Sequence, residues 1–372
     1  MESLRIALIS TNTYPAPSPT YGGEVVIADL ARSLDDLGHE VRFVACPGSY
    51  EPPHGTLLFM RSSYGTSTPW FWECEQSAYD FYKPQILGAD VVHDISHTKR
   101  IAENIYEQER RTNVVSTLLG GVYNHPKIGY NVVVWSEAMK DRALRGATDY
   151  ENTPFPEMGG VPGHTGKLKD AHVVPGGVDT DFYCPDGYEK DDYFLWLNRW
   201  HPAKGYHIAI ELARRTGIPL VLSGLHPDDT VHPDHRLYAL EAVELAKGIP
   251  NVRFKWIPRK NHHEEKRESY RRAKALLYTI QFQEPCGLAQ VEALACGTPV
   301  VGFGFGSVPE VVRHGVTGIV VPPNKSTAEV TVTGIHVDYK VTQEKVDYST
   351  YGEAIHEVDR IDPKECRRDA VE

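Results

Sequence analysis

The stretch Gln281 to Val301, QFQEPCGLAQVEALACGTPVV, constrains the chain most, because it sets a helix start, a helix stop and two carboxylates in one turn-helix-strand unit. Pro285 has no N–H to lose in a first helical turn. Leu288, Val291, Leu294 and Ala295 recur at helical spacing, and Gly297 stands where a left-handed C-terminal cap is wanted. A helix over roughly Pro285 to Cys296 follows, with Pro299 to Phe303 as a buried strand behind it. The free N–H groups of Gly287, Leu288 and Ala289 then lie at the positive end of the helix dipole, where phosphate groups bind. Glu284 precedes the first turn and Glu292 lies about two turns along. The two carboxylates can therefore address different parts of one elongated ligand with an anionic middle and hydroxylated ends.

A chain of 372 residues is long enough for two domains of ordinary size. Hydrophobic content of 41% and charged content of 24% are those of a soluble globular protein. No run approaches the roughly 20 apolar residues of a membrane span, and Arg5 to Ile9 reads as a first strand rather than a signal peptide. A net charge of −11 speaks against nucleic acid or an anionic membrane as main partner. Six cysteines without CxxC or zinc-type spacing read as reduced thiols, so a cytoplasmic location is expected.

The order RIALIS, TNTYPAPSPTYGG, EVVIADLARSLDDLG, HEVRFVAC is strand, loop, helix, strand, which indicates a parallel sheet with right-handed crossovers. Val26, Leu30, Leu34 and Leu37 line one helical face, and Gly22 and Gly23 at the helix start let backbone approach a ligand closely. Glu51 to Tyr82 reads as irregular and aromatic, with Trp70, Phe71, Trp72, Tyr79, Phe81 and Tyr82 taken first as core and alternatively as an acceptor-pocket wall. ADVVHDISH is a buried strand running into a loop with His93, Asp94 and His97. Asn152 to Lys169, rich in Pro and Gly, reads as a surface insertion. Ser136 is a candidate helix N-cap, and Asp179 and Asp181 read as a turn-capping pair.

From Tyr193 the strand-helix pattern restarts, and a second Rossmann-like half is the simplest account. Arg199 and Lys204 flank a Pro-containing turn at the C-terminal edge of this second sheet. Two cations there would neutralise an anionic ligand such as a diphosphate without a metal. The polar loops holding His226, His232, His235, His262 and His263 show no HExxH and no Cys partner, so no metal site is expected. Ser307 and Glu310 read as a capping box, with Gly315 ending that helix.

Glu284-x7-Glu292 followed by ALACGTPVV, with GSVPEVVRHGVTGIVV downstream, resembles the donor-site motif of the family-4 retaining glycosyltransferases. The resemblance covers roughly Arg5 to Val321, and it implies the α/β GT-B fold: two Rossmann-like domains whose parallel sheets face each other across a cleft. The expected boundaries are an acceptor domain over 1–178, a nucleotide-sugar donor domain over 179–345, and a tail over 346–372 that crosses back toward the first domain. The resemblance assigns the donor sugar to Glu284 and the ribose to Glu292. It gives the diphosphate to the helix start at Gly287 and Leu288 with Gly22 and Gly23 opposite, and the base to backbone near Ile257. It preserves Arg199 and the Pro-x-Lys-Gly of Lys204. Where the family commonly has Asp-Val-Val-His-x-His, this chain has Ile95 at the second histidine position. The resemblance puts that histidine beside the donor sugar and the reaction centre, where either His97 or His93 serves instead, or the role is absent.

The activity implied is retaining transfer of a hexosyl group from a UDP- or GDP-linked sugar to an acceptor hydroxyl, with no metal and no cofactor beyond that substrate. The acceptor expected is small or soluble. Two alternatives stand beside it, a catalytically silent sugar-nucleotide-binding subunit and a GT-B sugar-nucleotide epimerase.

Overall fold

Strands and helices alternate in a computed structural model that describes residues 2–18, 22–62, 71–120, 131–146, 168–230, 233–322, 329–333, 336–340 and 348–372. Trp70, His232 and all but the end of the 152–169 segment lie outside those residues. The described residues up to Gly176 form one unit and those from Gly177 form the other.

The first unit runs β1 (Arg5–Ile9), α1 (Gly22–Asp36), β2 (Glu40–Ala45), β3 (Thr56–Phe59), α2 (Phe71–Leu87), β4 (Val91–Asp94), α3 (Arg100–Glu109), β5 (Val114–Thr117), β6 (Val132–Val134), α4 (Glu137–Arg145) and β7 (His172–Val173). Its seven strands are all parallel, in the order β3-β2-β1-β4-β5-β6-β7. The order reverses between β1 and β4. Loops after these two strands therefore diverge to opposite faces and leave a crevice at the C-terminal edge, the place where open α/β sheets bind ligands.

The second unit repeats the scheme. It runs β8 (Phe194–Leu197), α5 (Tyr206–Thr216), β9 (Leu220–Leu225), α6 (Pro233–Leu245), β10 (Val252–Ile257), α7 (His262–Arg272), β11 (Ala275–Tyr278), α8 (Leu288–Ala295), β12 (Val300–Phe303), α9 (Val308–Val311) and β13 (Gly318–Val321). Its six parallel strands lie in the order β10-β9-β8-β11-β12-β13, so the reversal falls between β8 and β11. An antiparallel pair, β14 (Glu329–Thr333) and β15 (His336–Lys340), follows. Helices α10 (Tyr348–Glu357) and α11 (Pro363–Val371) close the chain. Burial of Trp196, Trp200, Tyr206, Tyr270, Tyr278, Phe303 and Tyr351 around the second sheet supplies much of its apolar core. No described helix is long and apolar enough to cross a membrane.

Several local expectations need correction. Helix α1 buries Ile27, Ala28 and Ala31, with Leu30 and Leu34 of the expected face packed against the same core, while Leu37 is exposed. The small alanines let the helix lie close on the sheet, which the larger residues flank. The stretch Glu51 to Tyr82 is not irregular throughout, since β3 and the start of α2 lie in it. Among its described aromatics Tyr79 is core and Tyr82 packs partly buried against it, while Phe71, Trp72 and Phe81 are exposed. Ser307 does not cap α9, because its hydroxyl donates to the Cys286 carbonyl at 2.8 Å instead, and α9 stops at Val311, well before Gly315. Helices α10 and α11 pack within the second unit, against β13, α5 and α8. Ser136 does cap α4, accepting from the Met139 N–H at 3.1 Å, and Asp179 caps its turn by accepting from the N–H groups of Asp181 and Phe182.

Candidate functional site

In the second unit the loops after β8 and β11 meet at the point of strand reversal. The chain leaves β8 through Arg199 and makes a single 3-10 turn over Pro202–Lys204 that is started by the His201 ring accepting from the Ala203 N–H. Gly205 follows with φ +76°, and a Cβ there would stand 1.9 Å from the Thr279 carbonyl oxygen. Only glycine permits that approach. Across it the Thr279 hydroxyl donates to the Gly205 carbonyl at 2.8 Å and the Gln281 N–H to the Ala203 carbonyl at 2.7 Å. The two loops are thereby tied together, the first delivering Arg199 and Lys204 and the second Glu284.

Lys204 Nζ lies 2.8 Å from Glu284 Oε2 and 4.5 Å from the centroid of the Phe282 ring. The Tyr278 hydroxyl donates to the same Oε2 at 2.8 Å. Burial pushes the Lys204 ammonium below its usual value, with Glu284 pulling it back up and the nearby charge of Arg199 pushing it down further. Arg199 itself is exposed. Glu284 is 8% exposed, and its backbone is pinned by the Ser307 N–H donating to its carbonyl at 2.8 Å. The sequence-predicted trio of Arg199, Lys204 and Glu284 is thus brought to one place.

The helix behind Glu284 begins later than expected. Pro285 lies ahead of it, Gly287 at φ +77° is its N-cap, and regular structure starts at Leu288. The chain turns sharply at Gly287, so Pro285 sits in the approach loop rather than the first turn. Gly297, at φ +69°, follows the helix as its spacing predicts. Glu292 faces inward from this helix: Lys266 Nζ meets its Oε1 at 2.7 Å and the Tyr270 hydroxyl its Oε2 at 3.0 Å. Ile257 ends β10 at the same C-terminal edge, buried, its carbonyl accepting from the His226 N–H at 3.4 Å.

In the first unit the candidates gather at the other strand reversal. Gly22 and Gly23 open α1, and the next residue, Glu24, is buried and accepts from the Thr11 hydroxyl at 2.8 Å. His93, on β4, pairs through Nε2 with the Thr117 hydroxyl at 2.7 Å. His97, in the following loop, pairs with the Thr13 hydroxyl at 2.7 Å and packs against the Phe71 ring at 4.8 Å. Burial, helped by the charge of Lys99, holds both imidazoles down at about 4. Ile95 is in the core, so its side chain takes no part in an exposed site.

Sequence reasoning missed Tyr278, Lys266 and Tyr270, which lie on neighbouring strands and helices with no spacing relation to the glutamates. It also missed Lys99, a buried ammonium whose own φ is +56° and which donates to the Ser96 carbonyl beside buried Asp94 and Glu75. Among the described residues no group of three or more His, Cys, Asp or Glu is placed to hold a metal ion. None of the six cysteines is in a disulfide.

Residues 185–333 match the family model described as glycosyl transferases group 1. D-inositol 3-phosphate glycosyltransferases of Mycobacterium tuberculosis and Mycobacterium bovis are 31% identical over 160 residues, 40% of this chain. The aligned stretch is 32% of those relatives, so the chain spans about a third of their length. Among solved structures, sucrose-phosphate synthase from Thermosynechococcus elongatus superposes with a TM-score of 0.68 at 18% identity, over 98% of this chain and 92% of that one. AviGT4, a glycosyltransferase involved in avilamycin A biosynthesis, gives 0.60 at 23% identity over 99% and 92%. Anabaena HepE in complex with UDP gives 0.60 at 16% over 99% and 94%. The fold is that of the GT-B glycosyltransferases, and the resemblance to group 1 is borne out across the second unit's sheet.

Proposed function

We propose that this chain, with its GT-B fold and its group 1 match, moves a hexosyl group from a UDP- or GDP-linked sugar to an acceptor hydroxyl, with retention and without a metal. The observation that carries the reading is the Lys204 to Glu284 contact of 2.8 Å at the strand reversal between β8 and β11, with Arg199 beside it. Such a site answers the two charges that sugar transfer develops, negative on the leaving phosphate and positive on the sugar ring. Lys204, Arg199 and the N–H groups at Gly287 and Leu288 take the first. Glu284 binds sugar hydroxyls and lends nearby negative charge.

Glu292 is given the ribose, and Lys266 or Tyr270 then yields one carboxylate oxygen to a ribose hydroxyl. Backbone near Ile257 meets the base. Gly22 and Gly23 are given to the donor diphosphate, His93 or His97 to the donor sugar, and recognition of a small or soluble acceptor to the first unit. Front-face substitution assisted by the leaving phosphate is the route, since the sequence motif carries no second carboxylate spaced as in retaining glycosidases. The donor is a substrate, and no further cofactor is called for. The similar folds of HepE, solved with UDP-glucose, and starch synthase IV, solved with ADP and acarbose, support a nucleotide-linked donor class. A cytoplasmic location belongs to the same proposal, in keeping with cysteines that form no disulfide.

A thermal-shift panel of UDP, GDP and ADP with their common sugar conjugates tests it. One nucleotide should stabilise the chain selectively, by about 2.7 kcal/mol at a hundred times its dissociation constant. Glu284→Ala should abolish transfer with the fold intact, and Lys204→Ala should weaken donor binding at least about ten-fold, the loss of one charge-assisted contact. Wild-type rates in both variants would overturn the site, and selective binding without turnover would make the chain a silent binding subunit.

A further inference from the structure

Each glutamate of the motif meets one lysine and one tyrosine, but the hydrogen bonds are distributed differently. Glu292 has one donor on each oxygen, Lys266 on Oε1 and Tyr270 on Oε2. Glu284 has both donors on Oε2, Lys204 and Tyr278 each at 2.8 Å. Among the described residues no hydrogen bond reaches Glu284 Oε1. One carboxylate is thus saturated by the protein and the other is half committed.

Tyr278 is well placed to enforce this asymmetry. It ends β11 in the core of the second unit, only 1% exposed, so its ring is fixed by packing and its hydroxyl has little choice of direction. Burial first, and the charge of Glu284 second, raise its pKa well above the ordinary 10, so the hydroxyl remains a donor throughout the working range. Lys204 alone would not hold the carboxylate in this pose. An ammonium has three donors on a flexible stem and can accept either or both oxygens of a rotating carboxylate.

We infer that Tyr278 is a positioning residue that, together with Lys204, pins Oε2 of Glu284 and reserves Oε1 for a hydroxyl of the donor sugar. The inference rests on the sugar-transfer reading of the site. Removing the Tyr278 hydroxyl frees the carboxylate to rotate and share both oxygens with Lys204, which occupies the oxygen the substrate needs.

Tyr278→Phe keeps the ring and deletes only the hydroxyl. Turnover of the donor, by hydrolysis or transfer, is expected to fall about ten-fold in kcat with the donor KM changed less than about two-fold, the pattern of a contact made in the transition state. The crystal structure of the same variant should show the Glu284 carboxylate rotated so that both oxygens meet Lys204. A merely structural tyrosine would lower the melting temperature and leave that carboxylate in its present pose. Wild-type kcat in Tyr278→Phe, or a fall in kcat with the carboxylate unmoved, overturns the inference.

Should the wild-type chain neither bind nor turn over any nucleotide sugar, the transfer reading fails by itself. The crystal structure of Tyr278→Phe then decides the positioning role. A Glu284 carboxylate rotated onto Lys204 through both oxygens supports it, and one unmoved from its present pose overturns it.

Discussion

His207 shows how burial alone sets the charge state of a side chain in this protein. It lies at the start of α5 in the second unit's core, and its Nε2 has no hydrogen-bond partner among the described residues. Burial lowers its pKa from 6.5 to about 4. The depressed value means the folded chain resists protonation while the unfolded chain does not. The associated stability is therefore complete above pH 6.5 and is lost as the pH falls from there through about 4. His207→Leu removes this one titration, so its melting temperature should drop less than that of the wild type between pH 6.5 and pH 4. Equal slopes in a calorimetric pH series would refute that account. His93 and His97 contribute with the same sign, so the variant is expected to flatten the slope rather than abolish it.

Elements matter here chiefly through the loops that join them. The turn between β12 and α9 lies against the Glu284 segment so closely that a Cβ on Gly306, at φ +56°, would stand 2.3 Å from both the backbone nitrogen and the carbonyl oxygen of Glu284. Backbone cannot swing aside as a side-chain tip can. Gly306→Ala should therefore displace Glu284 as well as strain the turn, at a cost of about 1–3 kcal/mol or more, and should remove the donor-induced thermal shift. Gly315 is the matched control, because it also has positive φ, +76°, but nothing within 4 Å of its would-be Cβ. Gly315→Ala should cost about 1–2 kcal/mol from the left-handed backbone alone and leave donor binding intact. Equal behaviour of the two variants in melting and donor titration would show that the close approach does not position Glu284.

On the scale of the whole molecule, the last two helices are part of the second unit's core rather than an appendage. Tyr351, Ile355 and Val358 are buried with it, the Tyr351 hydroxyl donates to the Val301 carbonyl at 2.5 Å, and the Arg367 guanidinium donates to the carbonyls of Thr180, Tyr183 and Ala295. Losing a large buried side chain costs about 2–5 kcal/mol. Several at once equal the whole stability of an ordinary domain, about 5–15 kcal/mol. A chain ending at residue 345 should lose cooperative melting of the second unit and all nucleotide binding. Retention of both, by calorimetry and ligand titration, would show the helices to be dispensable.

The sequence by itself determined the α/β class and the two strand-helix repeats, and it put forward Arg199, Lys204, Glu284 and Gly287 as site residues. These are local signals: alternating apolar runs and helix faces, a proline turn, and glycines that tolerate left-handed backbone. Tertiary structure alone decided which carboxylate oxygen is left open. Tyr278, Lys204 and Glu284 come from one strand end and two loops, and Lys266 and Tyr270 reach Glu292 from a separate helix. Tertiary structure also decided that α1 turns its alanines to the sheet, that Ile95 is core, and that the closing helices cover β13 and α8. Each of these depends on which surfaces meet in space, where a few ångströms of packing outweigh the pattern along the chain.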